Sequence, residues 1–424
     1  MGAFVIKGGE IYDPAAQKWE KKDIAIENGM IISGMPSGEY QVVDASGCKV
    51  TTGWIDYHVH YFNHGTENGI NPDAASFPCG VTTAVDGGST GAANYEMYRK
   101  SAMAYSDVRI LNMLLVGSGG QVTDRYPEHL EKKYFDIPKI KKLFREYPDN
   151  LVGLKSRMSV GIIAPEDAEE SIRATVELAG ELGCNVSVHV TNPVMDLEKL
   201  AGILRKDDMI CHIYQGKGKE TCLDADGKVR EGLLKARERG VLFDASNGCN
   251  NFDLEIAQKA VAQGFKPDII SSDINTSGFF LQPLHSLPRI MSKYLDFGMS
   301  LSEVLDTVTR VPARLVHRES LASMAPGTEA DLVIFKVKEK EVPYSDRTGH
   351  TFTGHQQWGF DQGSIGVSIR KGSFEISFGS AGDSDGSIGI GRYFRQRVQS
   401  LRTCLVIELR SRAVVCHAKQ LYPG

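Results

Sequence analysis

The spacing of apolar positions changes near residue 50. Before it, short runs are broken by turns: Phe4-Val5-Ile6, Ile24-Ala25-Ile26, Met30-Ile31-Ile32 and Gln41-Val42-Val43. Asn28-Gly29 between two of these runs predicts a two-residue hairpin, because both central positions of such a turn need positive φ. From residue 51 onward, for about 220 residues, short apolar runs alternate with longer amphipathic segments, the texture of βα repeats. The runs are Thr52 to His58, Thr82 to Asp86, Ile110 to Val116, Leu151 to Lys155, Asn185 to His189, Met209 to Ile213, Val241 to Ala245 and Ile269 to Asp273. Between them, Pro165 to Leu182 reads as a helix, acidic at its start through Glu166, Glu169 and Glu170 and followed by Gly183. Eight such runs predict an α/β fold, a (β/α)8 TIM-like barrel over residues 51–324, with its chemistry at the C-terminal strand ends. A doubly wound sheet also fits the run count.

After the last run, Ser302 to Leu315 reads as one helix, and Ala325-Pro326-Gly327 turns the chain into a strand, Leu332 to Phe335. The chain thereby returns to its opening β-unit, and residues 1–50 plus about 325–375 are expected to form a β-sandwich satellite, with Ile369-Arg370-Lys371-Gly372 as a candidate closing strand. Composition shifts again beyond about residue 376, to Gly/Ser/Asp over Phe378 to Gly391 and then to Arg392, Arg395, Arg397, Arg402, Arg410 and Arg412. A flexible tail over 376–424 is the expectation.

A net charge of -5 and a pI near 6.2 give no electrostatic reason to expect a nucleic acid or an acidic membrane as partner. There is no run of eighteen apolar residues, and Met1 to Gly9 lacks the charged and apolar halves of a signal peptide. The eight cysteines show no Cys-x-x-Cys spacing, which suits buried, unpaired thiols in a reducing compartment. The expectation is a cytoplasmic homo-oligomer acting on a small molecule, without nucleic acid or membrane as partner.

The ionisable residues fall at the ends of the apolar runs. His58 and His60, two apart, point to one face of a strand. Lys155 ends the fourth run, His189 the fifth, and Asp273 the eighth, while His212 lies near the end of the sixth. Taken singly, each has an ordinary explanation: a lysine reaching solvent, core histidines bonded to carbonyls, an aspartate capping a helix. Together they converge on one end of one cavity, where clustered His and Asp indicate a metal site. A buried lysine there can lose its proton and become nucleophilic. Lys155 could then add carbon dioxide, and the carbamate would bridge two divalent metals about 3.5–4 Å apart.

These residues resemble the amidohydrolase superfamily over about residues 3–335. The resemblance rests on Gly53-Trp54-Ile55-Asp56-Tyr57-His58-Val59-His60, Gly80-Val81-Thr82-Thr83, Lys155, His189, His212, Asp273, Thr309-Arg310-Val311-Pro312-Ala313-Arg314 and the Pro326-to-Leu332 segment. It implies two divalent metals, most simply zinc: one on His58, His60 and Asp273, the other on His189 and His212, with carboxylated Lys155 bridging and Asp273 as catalytic proton shuttle. Within the superfamily, Lys155-Ser156-Arg157, Ser187 to Pro193, His212 to Gly216 and Ser272 to Asn275 look like the amidohydrolase/deacetylase group, similar to enzymes that cleave acetyl esters of 2-hydroxy acids. Dihydroorotases carry an arginine two positions after the second histidine, where this chain has Phe62, and mononuclear deaminases generally lack the bridging lysine. A cyclic amidohydrolase of the dihydroorotase or hydantoinase kind, an adenine deaminase and an inactive scaffold barrel are the alternatives. Arg157 is the candidate for a substrate carboxylate, since a guanidinium offers a bidentate fork. Cys79, Tyr214 and Asn275 are further pocket candidates, and His285, soon after the eighth run, is held in reserve.

Overall fold

The computed structural model describes residues 3–280, 286–359, 365–370 and 373–378. His285 and the expected tail beyond Phe378 lie outside the described residues. The first segment forms β1 (Ala3–Lys7), β2 (Glu10–Asp13), β3 (Lys18–Lys21), β4 (Ile24–Glu27), β5 (Met30–Ile32), β6 (Tyr40–Asp44) and β7 (Lys49–Thr52). Asn28 and Gly29, at φ 53° and 78°, make the tight turn between β4 and β5, where Glu27 pairs with Met30. The order β5-β4-β1-β6 gives one small sheet.

The middle of the chain forms β8 (Trp54–Val59), β9 (Val81–Asp86), β10 (Arg109–Leu115), β11 (Leu151–Arg157), β12 (Asn185–His189), β13 (Met209–Cys211) and β14 (Leu242–Asp244). These pair in chain order as one parallel sheet. Helical crossovers, including the Pro165–Leu182 helix with Gly183 at its C-cap, connect them. Residues 269–274 touch both edges of this sheet through parallel bridges, Asp244 to Ile269 and Val59 to Ile274. Asp273 N donates to His58 O at 2.8 Å and Ala245 N to Ile269 O at 3.0 Å, so the sheet curls until its edges share one segment.

The last segment adds β15 (Leu332–Ser345), β16 (Thr351–Gly359), β17 (Ile365–Arg370) and β18 (Ser373–Phe378). A second small sheet, ordered β18-β17-β15-β7-β2-β3 with β16 also on β15, is built from both ends of the chain. Phe4, Ile6, Ile26, Val50, Leu332 and Ile334 fill the space between the two small sheets. Trp54, at the start of the parallel sheet, packs edge-on against Phe335 and Trp358 at 5.6 and 5.5 Å, which joins that sheet to β15 and β16.

Three local expectations change. The sixth strand stops at Cys211 because His212 takes φ 61°, and the eighth run makes bridges instead of a regular strand, with Asp273 at φ 50°. The single helix expected over 302–315 is two, Leu301–Val308 and Arg310–Leu315. Pro312 explains the break: its ring clashes with the carbonyl four residues back, at Val308, and it has no N–H to donate. Among the described residues no helix is long and apolar enough to cross a membrane.

The helix Leu287–Asp296 buries Lys293, whose Nζ sits 4.1 Å from the centre of the Phe252 ring. Burial, then the nearby Arg289 charge, push its pKa down to about 7 against an opposing pull from Asp346. An unfolded lysine titrates near 10.4, so between about pH 7 and pH 10 the unfolded chain holds more protons and stability rises with pH. Urea unfolding should show that rise between pH 7 and 9.5 in the parent chain and a flatter curve in Lys293→Met. Equal slopes would disprove it.

Candidate metal centre

The curled sheet brings His58, His60, Lys155, His189, His212 and Asp273 to one buried place. His58 and Lys155 lie on β8 and β11, His60 just follows β8, His189 ends β12, His212 follows β13, and Asp273 sits in the segment bridging the two edges. His60 Nε2 lies 3.2 Å and His58 Nε2 3.7 Å from Asp273 Oδ1. Lys155 Nζ is 3.2 Å from His58 Nε2, 3.5 Å from Ser187 Oγ and 3.7 Å from Cys211 Sγ. The His212 ring lies 4.5 Å from that of His189 and 5.2 Å from that of His58.

Electrostatics favour the neutral form of three of these imidazoles, His58, His189 and His212. Burial, followed by the surrounding positive groups, holds His58 and His189 well below the usual histidine range, and His212 is pushed down to about 4 by burial despite the favourable Asp273 charge. Burial pushes the Asp273 carboxyl up, but the hydrogen bonds from His60 and Asn251 and the nearby His212 hold it below the ordinary carboxylate range. Neutral imidazoles beside an ionised carboxylate form the donor set that divalent transition metals select.

Two observations test that fit. His212 Nδ1 lies 2.6 Å from the Ser246 carbonyl, which only accepts, so the ring proton is on Nδ1 and the Nε2 lone pair is free. That Nε2 is buried with no hydrogen-bond partner, and His58, His212 and Asp273 each offer a ligand atom within 4.8 Å of the others. The second observation is space kept open by glycine. A Cβ at Gly87 would meet His58 Cδ2 at 2.2 Å, and one at Gly248, where φ is +51°, would meet Asp273 Oδ2 at 2.3 Å. The residues present fit a bound divalent ion.

A cavity of about 390 Å³ opens beside this cluster, lined by Arg157, His189, Lys217, Cys249, Asn251 and Asn275 among others. Arg157 and Asn275 therefore lie on its wall. Arg157 ends β11 and is ion-paired with the mostly buried Glu128. The structure does not bring Cys79 or Tyr214 there. Cys79 closes a short helix just before β9, level with Trp54 at the start of β8, so it lies at the opposite end of the parallel strands. Tyr214 is fully buried, its hydroxyl donating to Phe265 O at 2.7 Å and its ring beside Tyr294.

Residues 50–355 match the model of the amidohydrolase family. The chain belongs to that family. It is 28% identical over 360 residues to a deacetylase of Enterococcus faecalis, spanning 79% of this chain and 95% of the relative. It is 30% identical over 314 residues to a deacetylase of Agrobacterium fabrum, spanning 73% and 75%. Its fold matches a crystal structure of an adenine deaminase with a TM-score of 0.80 at 25% identity, over 89% of this chain and all of that one. This amidohydrolase is a hydrolytic enzyme.

Sequence reasoning passed over several residues that hold the cluster of this amidohydrolase in place. Ser246 contacts two of its histidines, Asp244 holds the Ser246 N–H at 3.0 Å, Ser89 Oγ is 3.0 Å from His60 Nδ1, and Asn251 Nδ2 donates to Asp273 Oδ2 at 2.7 Å. Asp244 carried a readable signal, an acid inside the apolar run Val241 to Ala245, and the polar Ser246-Asn247-Gly248-Cys249-Asn250-Asn251 loop follows that run at once. Gly248→Ala should leave the chain folded by near-ultraviolet circular dichroism but displace Asp273 and lower the divalent metal retained through gel filtration. Metal retention equal to the parent would show that the open space at Gly248 is not needed.

Proposed function

We propose that this amidohydrolase is a two-metal deacetylase that removes an acetyl group from the hydroxyl or amine of a small carboxylic acid. Lys155 carries the reading, because an ammonium has no use among metal-binding histidines, whereas a carbamate there would be a shared ligand. The deacetylases that resemble the chain over most of its length point the same way. The bridged parallel sheet is read as a closed (β/α)8 barrel, with the two small sheets as its satellite.

His58, His60 and Asp273 would hold one divalent ion, His189 and His212 the second, and carboxylated Lys155 both. Lys155 would form its carbamate when the neutral amine bonds to the carbon of carbon dioxide and releases one proton. When bound, the ions would make a water acidic enough to give hydroxide near neutral pH and would polarise the scissile carbonyl, zinc being the natural choice for histidine ligands. Asp273 is the proton carrier. Asn251 engages its Oδ2 and leaves Oδ1 facing His58 and His60, from which it would take the proton of the attacking water and pass it to the leaving oxygen or nitrogen. The substrate carboxylate would sit against Arg157, with Lys217 and Asn275 on the same wall. Because Glu128 already shares the Arg157 charge, Lys217 supplies the additional positive charge.

The purified enzyme should contain close to two divalent ions per chain by elemental analysis, and fewer than one would refute the two-metal site. With zinc present, acetyl esters of 2-hydroxy acids should be cleaved faster than dihydroorotate or adenine is converted. Equal or reversed rates would remove the deacetylase reading. Lys155→Ala should lose most of its turnover, and full activity without added carboxylate would exclude a bridging carbamate.

A further inference from the structure

Ser246 lies between histidines that the two-metal reading assigns to different ions. Its Oγ is 2.6 Å from His58 Nδ1, and its carbonyl oxygen is 2.6 Å from His212 Nδ1. His58 Nε2 faces the cluster, 3.2 Å from Lys155 Nζ, and Asp244 Oδ2 lies 3.8 Å from Nδ1; with Nε2 given to an ion, as the two-metal reading requires, the ring proton sits on Nδ1 and is donated to the Ser246 hydroxyl. Both rings are thereby held in the tautomer that leaves Nε2 available, His58 by a side chain and His212 by the backbone. The residue is fully buried and adopts φ 36°, a conformation few non-glycine residues hold without support. Support comes from Asp244, whose Oδ1 accepts the Ser246 N–H at 3.0 Å. Asp244 is itself fixed by the Ser271 hydroxyl, 2.8 Å from each carboxylate oxygen.

We propose that Ser246 is a positioning residue for both halves of the metal centre, its hydroxyl orienting His58 and its carbonyl orienting His212. The inference rests on the two-metal reading and adds a division of labour that can be separated experimentally. Deleting the hydroxyl removes the hold on His58 and leaves the carbonyl on His212 in place. Loss of one such outer hydrogen bond weakens metal binding by about 10–100-fold.

The test is zinc titration of the demetallated full chain in competition with a chromophoric chelator, on the parent, Ser246→Ala and Ser246→Gly. His60→Ala identifies which class of site belongs to the His58 half. In both Ser246 variants the His58-half class should weaken by about 10–100-fold while the other class keeps its affinity. Ser246→Gly serves as the control for backbone strain, since glycine favours positive φ, and it keeps the question answerable if the alanine variant does not fold. The role of Ser246 is overturned if both variants bind zinc like the parent, if both classes weaken alike, or if Ser246→Gly binds like the parent while Ser246→Ala does not. A parent chain that holds fewer than one ion overturns the two-metal reading instead, which separates the two failures.

Discussion

Burying six ionisable side chains in one place is the constraint from which the rest of this molecule follows. An isolated charge inside a protein is strongly unfavourable unless it is paired, liganded or discharged. Here His58, His189 and His212 are discharged by burial, and Asp273 keeps its charge against His60 and Asn251. Around them lies a layer whose only visible task is support: Ser89 on His60, Ser246 on His58 and His212, and Ser187 and Cys211 beside Lys155. Beneath that layer, Asp56 and Asp244 are so enclosed that burial raises both carboxyls to about 7, although serine hydrogen bonds oppose the shift.

The same constraint accounts for the irregular backbone at the mouth of the sheet. His212, Ser246 and Asp273 all leave their runs with positive φ, which turns side chains from neighbouring segments toward a common point. Such conformations persist where surrounding bonds over-determine them. Asp273 is held by its own N–H on the His58 carbonyl and by its side chain on Asn251, and Ser246 by Asp244.

The parallel sheet and the six clustered residues were legible because several apolar runs end in a residue too polar to bury alone, as Leu151 to Lys155 and Val186 to His189 do. What stayed hidden depends on geometry across the fold. Tyr214 follows His212 by two and reads as a neighbour of the cavity, yet the left-handed turn at His212 sends it into the core against Phe265. Cys79 precedes its strand, whereas the chemical end of a parallel sheet is reached by residues in the C-terminal part of a strand or just after it. The pairing of Arg157 with Glu128 crosses from a strand to a loop with no pattern in the chain to announce it. Pro312, by contrast, was in plain view, and its effect on the 302–315 helix is a local rule that outweighed the apolar pattern.

The bridging of the sheet's two edges also has a kinetic meaning. Asp56 accepts a hydrogen bond from the Ser272 N–H across 216 positions of sequence. A contact of that separation closes a very long loop, and contacts of this kind form late because the chain entropy is spent before they stabilise anything. His58 and Asp273 sit on the two sides of that seam, so the complete set of donor atoms exists only once the seam has shut. An ion bound by that set would therefore load only after the seam has shut, and it would oppose the seam's reopening without having guided its assembly.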